Sequence, residues 1–204
     1  MHPLRTVGLF FLVALVVYSG IVLFPWSGPR EGYRSVFIAT IHGVYGQFGA
    51  EGRVYCEKRD IDAIEDLDLF LGNRIGEIPV AVSTARLGYA PLAFLTALVV
   101  ATPIPWRRKW SSLVWGLVLV EAFVVIRSGL LIAYWFGSPG PVRLYTPGVV
   151  SGWIIATAYE FLALAPGASF LVPTLVWAAV SWRVDDVRRL LENVRFPYNA
   201  EAAD

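Results

Sequence analysis

The chain carries one cysteine, Cys56, one methionine and two histidines, His2 and His42. A lone cysteine excludes an internal disulfide and any multi-cysteine zinc or iron–sulfur centre. With so few soft ligands, neither a bound metal nor a cofactor is expected. Charge is sparse as well: 16% of residues are Asp, Glu, Lys or Arg and the net charge is +1. No basic tract could neutralise a run of phosphates, so a nucleic-acid partner is not expected. Internal repeats and low-complexity tracts are absent too.

Apolar length is abundant. Of the 204 residues, 56% are hydrophobic, and the mean hydropathy is +0.58. A soluble domain of this size could not bury so much apolar surface. Four stretches, 7–25, 88–105, 111–136 and 161–182, approach the roughly 20 residues a helix needs to cross a hydrocarbon core. The composition therefore predicts a membrane all-α bundle of four transmembrane helices with a small extracytoplasmic α+β insertion. The lipid bilayer would be its first partner. The first stretch is expected to be an uncleaved anchor, because its exit, Phe24-Pro25-Trp26-Ser27-Gly28, lacks a small-x-small cleavage pattern.

The basic triplet Arg107-Arg108-Lys109 lies between the second and third stretches, and short loops rich in Lys and Arg stay cytoplasmic. Arg5 near the start, and Arg183, Arg188, Arg189 and Arg195 in the tail, place both termini on that same side. The expected organisation is a cytoplasmic start and first span over 1–25, an extracytoplasmic helix and sheet over 26–87, three further spans within 88–182, and a cytoplasmic amphipathic tail over 183–204. That makes a multi-pass protein of the plasma (inner) membrane. Within the third unit, 149–160 is expected as an interfacial helix, and the last span is kinked near Pro166, Gly167 and Pro173. Trp26, Trp106, Trp110, Trp135, Trp153 and Trp182 fall near segment ends, as an interfacial aromatic belt would.

Between the first two apolar stretches, Val36, Phe37, Thr40, Ile41, Val44, Tyr45 and Phe48 recur at helical spacing, predicting an amphipathic helix over 33–48. Strands are expected over 53–58, 65–71 and 78–85, the second alternating most clearly through Leu67, Leu69 and Leu71. Three strands would be marginal alone, so they should pack on that helix or on the bilayer.

Few side chains could carry chemistry. Glu121 and Arg127 are ionisable groups inside the third apolar stretch, where an insertion cost of roughly 2.5–3.5 kcal/mol marks such residues as paired or functional. Six residues put them about 120° apart around a helix, too far for a direct pair. Glu160 is the expected partner of Arg127, and hydroxyls such as Thr96 or Ser19 are expected near Glu121, giving a buried charge network of Glu121, Arg127 and Glu160. Ser83 with Arg86 is a candidate nucleophile beside a cation, although no base stands at a telling distance. Cys56 alternates with Val54 as a small buried side chain would, and nothing in the sequence brings His42 to it. The acidic residues Asp60, Asp62, Glu65, Asp66 and Asp68 lack calcium-loop spacing.

Three stretches share a further likeness: STARLGYAPLAFLTALVVATPIPWRRK, VVIRSGLLIAYWFG and PGVVSGWII. With them, residues 83–182 resemble the membrane core of the exosortase/archaeosortase family, polytopic sorting enzymes of cysteine-transpeptidase type. The resemblance implies a catalytic role for Arg127, which matches an arginine that assists catalysis in that family, and it aligns Arg86 with a second family arginine. Val82 and Ser83 stand where the family cysteine is expected, and Pro147 and Gly148 stand near the place of its histidine. Two functions are therefore carried forward. One is a non-enzymatic cell-envelope assembly or accessory protein whose extracytoplasmic unit contacts a membrane or extracytoplasmic protein partner. The other is a divergent sorting enzyme, transpeptidase or peptidase, that uses Arg127.

Overall fold

Leu67, Leu69 and Leu71 alternate with Asp68 and Phe70 along strand β3 (Leu67–Gly72), so the three leucines share one face, and all three are buried. A computed structural model describes residues 3–23, 27–59, 64–165 and 167–182. Around β3 it builds an antiparallel meander in the order β1-β2-β3-β4, with β1 at Gln47–Phe48, β2 at Gly52–Lys58 and β4 at Glu77–Val82. Tyr55 of β2, Phe70 of β3 and Pro79 of β4 lie side by side in the register. On the outer face the Tyr55 and Phe70 rings stack at 4.9 Å. Asn73 closes the β3–β4 hairpin by accepting the Ile75 and Gly76 N–H groups on its side-chain oxygen, at 2.8 and 3.0 Å.

The inner face of the sheet is covered by two helices. Helix α2 (Ser27–Tyr45) contributes Phe37 and Ile41, and the C-terminal half of α4 (Trp106–Gly137) contributes Val124, Ile132 and Phe136. Phe48 stacks on Phe136 at 5.1 Å. The two helices approach closely at glycines. A Cβ on Gly129 would sit 2.3 Å from the Tyr45 hydroxyl, which donates to the Val125 carbonyl at 2.8 Å. A Cβ on Gly88 would sit 1.6 Å from the Tyr33 hydroxyl.

The N-terminal half of α4 joins α1 (Pro3–Val22), α3 (Ala90–Ala101) and α6 (Ala168–Ser181), and here the buried core shrinks to Leu95, Val99 and Val120. The basic triplet opens α4 and serves its neighbours: Lys109 Nζ donates to the Val100 carbonyl at 2.5 Å, and Arg108 to the Ser181 carbonyl at 2.8 Å. Cations thus sit on the last carbonyls of α3 and α6, the negative ends of those helices. The remaining helix, α5 (Val149–Ala158), runs into a π-helical turn, Tyr159–Leu164, and a matching π turn, Ala85–Tyr89, precedes α3.

The bundle of four transmembrane helices is not what these residues build. Helix α4, with 32 residues, is the one described helix long and apolar enough to cross a membrane, and 39% of its apolar window is buried. Within α1 the apolar part covers Val7–Val22, and the second apolar helix covers only Ala85–Ala101. The second is stopped by Pro103 and Pro105, neither of which can continue the helical hydrogen-bond ladder. The expected last span breaks between Ala163 and Ala168, and the helices on either side are bent by 82°. The interfacial helix expected over 149–160 is the first arm of that bent pair. The amphipathic tail helix expected after Arg183 lies outside the described residues, as does Trp26.

Candidate functional site

Where β4 ends, Asp66 fixes the chain. Its buried carboxylate accepts the Thr84 backbone N–H at 2.7 Å and the Thr84 hydroxyl at 2.5 Å. Charge-assisted pairs of this kind are the stronger hydrogen bonds of a fold. From that anchor the Leu87 N–H donates to the Ser83 carbonyl at 2.9 Å, and the chain enters the first π turn, closed by the Ala90 N–H on the Ala85 carbonyl. The Ser83 hydroxyl oxygen accepts the Arg86 N–H at 3.3 Å. The extra residue in a π turn rotates the helix beyond it, and such turns recur at functional sites. Here it sets Arg86 and Leu87 against a cavity of about 690 Å³.

The second π turn lines the same cavity with Tyr159 and Ala163. Helix α4 supplies Arg127, Leu131 and Trp135, α6 supplies Ser169 and Phe170, and β4 closes the wall with Val80, Ala81 and Val82. The volume falls in the range of small-molecule sites, roughly 300–1,000 Å³.

Arg127 is the centre of this wall, 4% exposed. Its two terminal nitrogens donate to the Ser169 hydroxyl at 2.8 Å and to the Ala163 carbonyl at 2.7 Å. That carbonyl is available because the helix breaks just after it. Ser169 in turn donates to the Arg86 carbonyl at 3.3 Å, which ties the two arginine segments together. The Arg127 Nε–H is buried without a partner, and so is the indole N–H of Trp135. No carboxylate reaches Arg127 among the described residues. Glu160, its expected partner, is exposed and forms no ion pair with it. Arg86 is exposed, and its guanidinium has no partner among the described residues.

Ser83, Arg86 and Arg127 are therefore brought together, and Glu121 and Glu160 stand apart from them. Glu121 turns to α2 instead, where Tyr33 donates to it at 3.5 Å and its other oxygen is buried without a partner. Burial first, then the facing carboxylate, pushes the Tyr33 phenol far above its usual range, so it remains a donor. The Thr96 hydroxyl is occupied by the Leu92 carbonyl at 2.8 Å. Cys56 and His42 do meet, but through the backbone: the Cys56 N–H donates to His42 Nε2 at 3.0 Å. The thiol is pushed up to about 12 by burial, the opposite of what a nucleophile needs. Asp68 pairs with Arg59 at 2.8 Å, and Asp60 and Asp62 lie outside the described residues. Among the described residues no three His, Cys, Asp or Glu side chains gather as metal ligands.

Sequence reasoning missed Ser169, Trp135 and Asp66 as parts of this site. Ser169 opens an apolar helix and Trp135 reads as an interfacial anchor. Asp66 reads as one of several solvated acids, whereas its position one residue before the most regular strand was the available signal. Compared with known proteins, the chain matches no protein-family model, no curated protein and no solved structure.

Proposed function

We propose that this chain is a membrane protein of the cell envelope, held in the bilayer through α4, that works as an assembly or accessory factor by binding an anionic group of a partner between Arg86 and Arg127. One observation carries the reading: among the described residues a 4% exposed guanidinium meets only neutral acceptors and lines a cavity, with its Nε–H unpaired. A buried cation without an opposite charge costs several kcal/mol, and an anion entering the cavity offsets that cost. Membrane residence is supported by the apolar side chains that α4 turns outward, among them Val114, Trp115, Val118 and Ile126, and by Phe11, Leu12 and Leu15 on α1. An extracytoplasmic sheet is supported by its place at the end of α4 far from Arg107, Arg108 and Lys109.

The test is ligand-dependent stability. Full-length protein in mild detergent is melted in sodium acetate or sodium phosphate against sodium chloride at fixed ionic strength. A site-bound anion raises the melting temperature saturably, by the equivalent of about 2.7 kcal/mol at a hundred times its dissociation constant. Arg86→Gln should abolish the rise. Equal melting in all three salts refutes the reading.

A second reading rests on Ser83, whose residue lines the same cavity as both arginines. In a divergent exosortase/archaeosortase-like sorting enzyme it would be the nucleophile, with Arg127 stabilising the developing oxyanion. Its weakness is chemical, since no base is hydrogen-bonded to the Ser83 hydroxyl among the described residues. Ser83→Ala decides: loss of processing of an envelope protein at unchanged abundance favours the enzyme, and retained function favours the binding factor.

A further inference from the structure

We propose that the occupant of the cavity is the C-terminal end of an extended peptide, added as a fifth strand beside β4 with its terminal carboxylate between Arg86 and Arg127. This rests on reading the cavity as an anion site and names the partner's chemistry.

Among the described residues the sheet ends at β4, which pairs only with β3. The hairpin shows which backbone groups face the open edge. Asn73 N–H donates to the Gly76 carbonyl at 2.9 Å, and bonded pairs alternate along an antiparallel ladder. Ile78, Val80 and Val82 are thereby bonded to β3, and Glu77, Pro79 and Ala81 turn their backbone groups outward. Pro79 fits that position because it has no N–H to offer. Ala81 offers both an N–H and a carbonyl, and it lines the cavity with Val80 and Val82.

Strand addition at an open edge draws affinity from main-chain hydrogen bonds and specificity from neighbouring pockets. Beyond Val82 the edge leads into the first π turn and Arg86, and Arg127 on α4 and Ser169 on α6 wall the cavity there. A chain entering along β4 has to stop at that wall, so its terminus, rather than a side chain in mid-strand, reaches the guanidinium groups. Among the described residues the donors there are matched to an acceptor-only group: the Arg86 guanidinium without a partner, Arg127 with an unpaired Nε–H, and the indole N–H of Trp135, while the carboxylate that also lines the cavity, Glu65, is paired with Arg59 at 3.9 Å. A carboxylate at this end sets the direction, and the added strand runs parallel to β4. Leu131 and Phe170 give its side chains an apolar floor.

The probe is a hexapeptide of alternating threonine and valine with an N-terminal fluorophore and a free C-terminal carboxylate. Its binding to the full-length protein in mild detergent is followed by fluorescence anisotropy. The same peptide with a C-terminal amide, and the same peptide N-methylated at alternate backbone amides, should each bind at least tenfold more weakly. Arg86→Gln should erase the acid-to-amide difference while leaving the melting temperature unchanged, because the Arg86 guanidinium has no partner among the described residues. Equal affinity for acid and amide, or for methylated and unmethylated peptide, overturns the proposal. Stabilisation by inorganic phosphate without peptide binding overturns it as well and leaves the anion site standing. Absence of both responses removes the two readings together.

Discussion

The two halves of α4 live in different surroundings. Towards its C-terminus Val124, Ile132 and Phe136 are enclosed by a sheet and a helix, whereas towards its N-terminus Val114, Trp115 and Val118 face outward. Apolar residues run through both halves, so hydrophobicity alone does not say what a side chain contributes. Around the sheet, apolar burial drives folding as in any soluble core. Along the outward faces of α1 and α4 the same side chains add little to a core.

Phe136→Ala against Phe11→Ala tests this contrast with the largest effect. Phe136 is fully buried and stacked on Phe48, so its loss should cost about 3–5 kcal/mol of stability. Phe11 is 63% exposed, and its truncation should stay within about 0.5 kcal/mol. Thermal unfolding in mild detergent measures both. Equal losses would mean that the outward face of α1 belongs to a packed core.

Next in size is Asp66→Ala, which leaves the buried Thr84 N–H and hydroxyl without their acceptor. A loss of about 3 kcal/mol is expected. Because Thr84 introduces the π turn that sets Arg86, anion-dependent stabilisation should fall with it. A variant that is less stable yet still stabilised by phosphate would separate the sheet from the cavity.

Gly88→Ala acts at the seam between the regions. The new methyl would meet the Tyr33 hydroxyl at 1.6 Å and displace the ring from Glu121. Overpacking of this kind costs about 1–3 kcal/mol, again read from the melting temperature.

How much of this was legible depended on the range of the signal. Period-two alternation through Leu67, Leu69 and Leu71 and helical spacing from Val36 to Phe48 were local and strong; β2 and β3 lie close to where they were expected, but α2 stops at Tyr45 and Phe48 joins β1, and β4 ends at Val82 because the chain turns into the π segment before Ala85. Apolar length was legible but helix length was not. The windows over 88–105 and 161–182 contain Pro103, Pro105, Pro166 and Gly167, and counting apolar residues across such breaks overstates the spans. Ser83, Arg86 and Arg127 each stood out singly. Their convergence depends on two π turns and a helix break, which no short-range pattern announces. Trp135 shows the same limit: it reads as a membrane-interface residue and is half-buried beside the sheet core.

The smallest effect, and the sharpest on chemistry, concerns Cys56. Its strand neighbour Val54 is buried, and the thiol itself is half-buried on β2. Burial disfavours the thiolate, and the His42 nitrogen nearest the strand is already occupied by the Cys56 N–H. The folded thiol is pushed up to about 12 from 9.0, so the folded state binds this proton more tightly than the unfolded chain does. The associated stability is fully present below the unfolded value and is lost as pH rises towards 12. At pH 8 the folded protein should react with iodoacetamide about a hundredfold or more slowly than the chain in denaturant, because only the thiolate attacks. Mass spectrometry of timed samples measures the ratio. Comparable rates would place an activating charge beside Cys56 and reopen a thiol mechanism on the sheet, away from the arginine cavity.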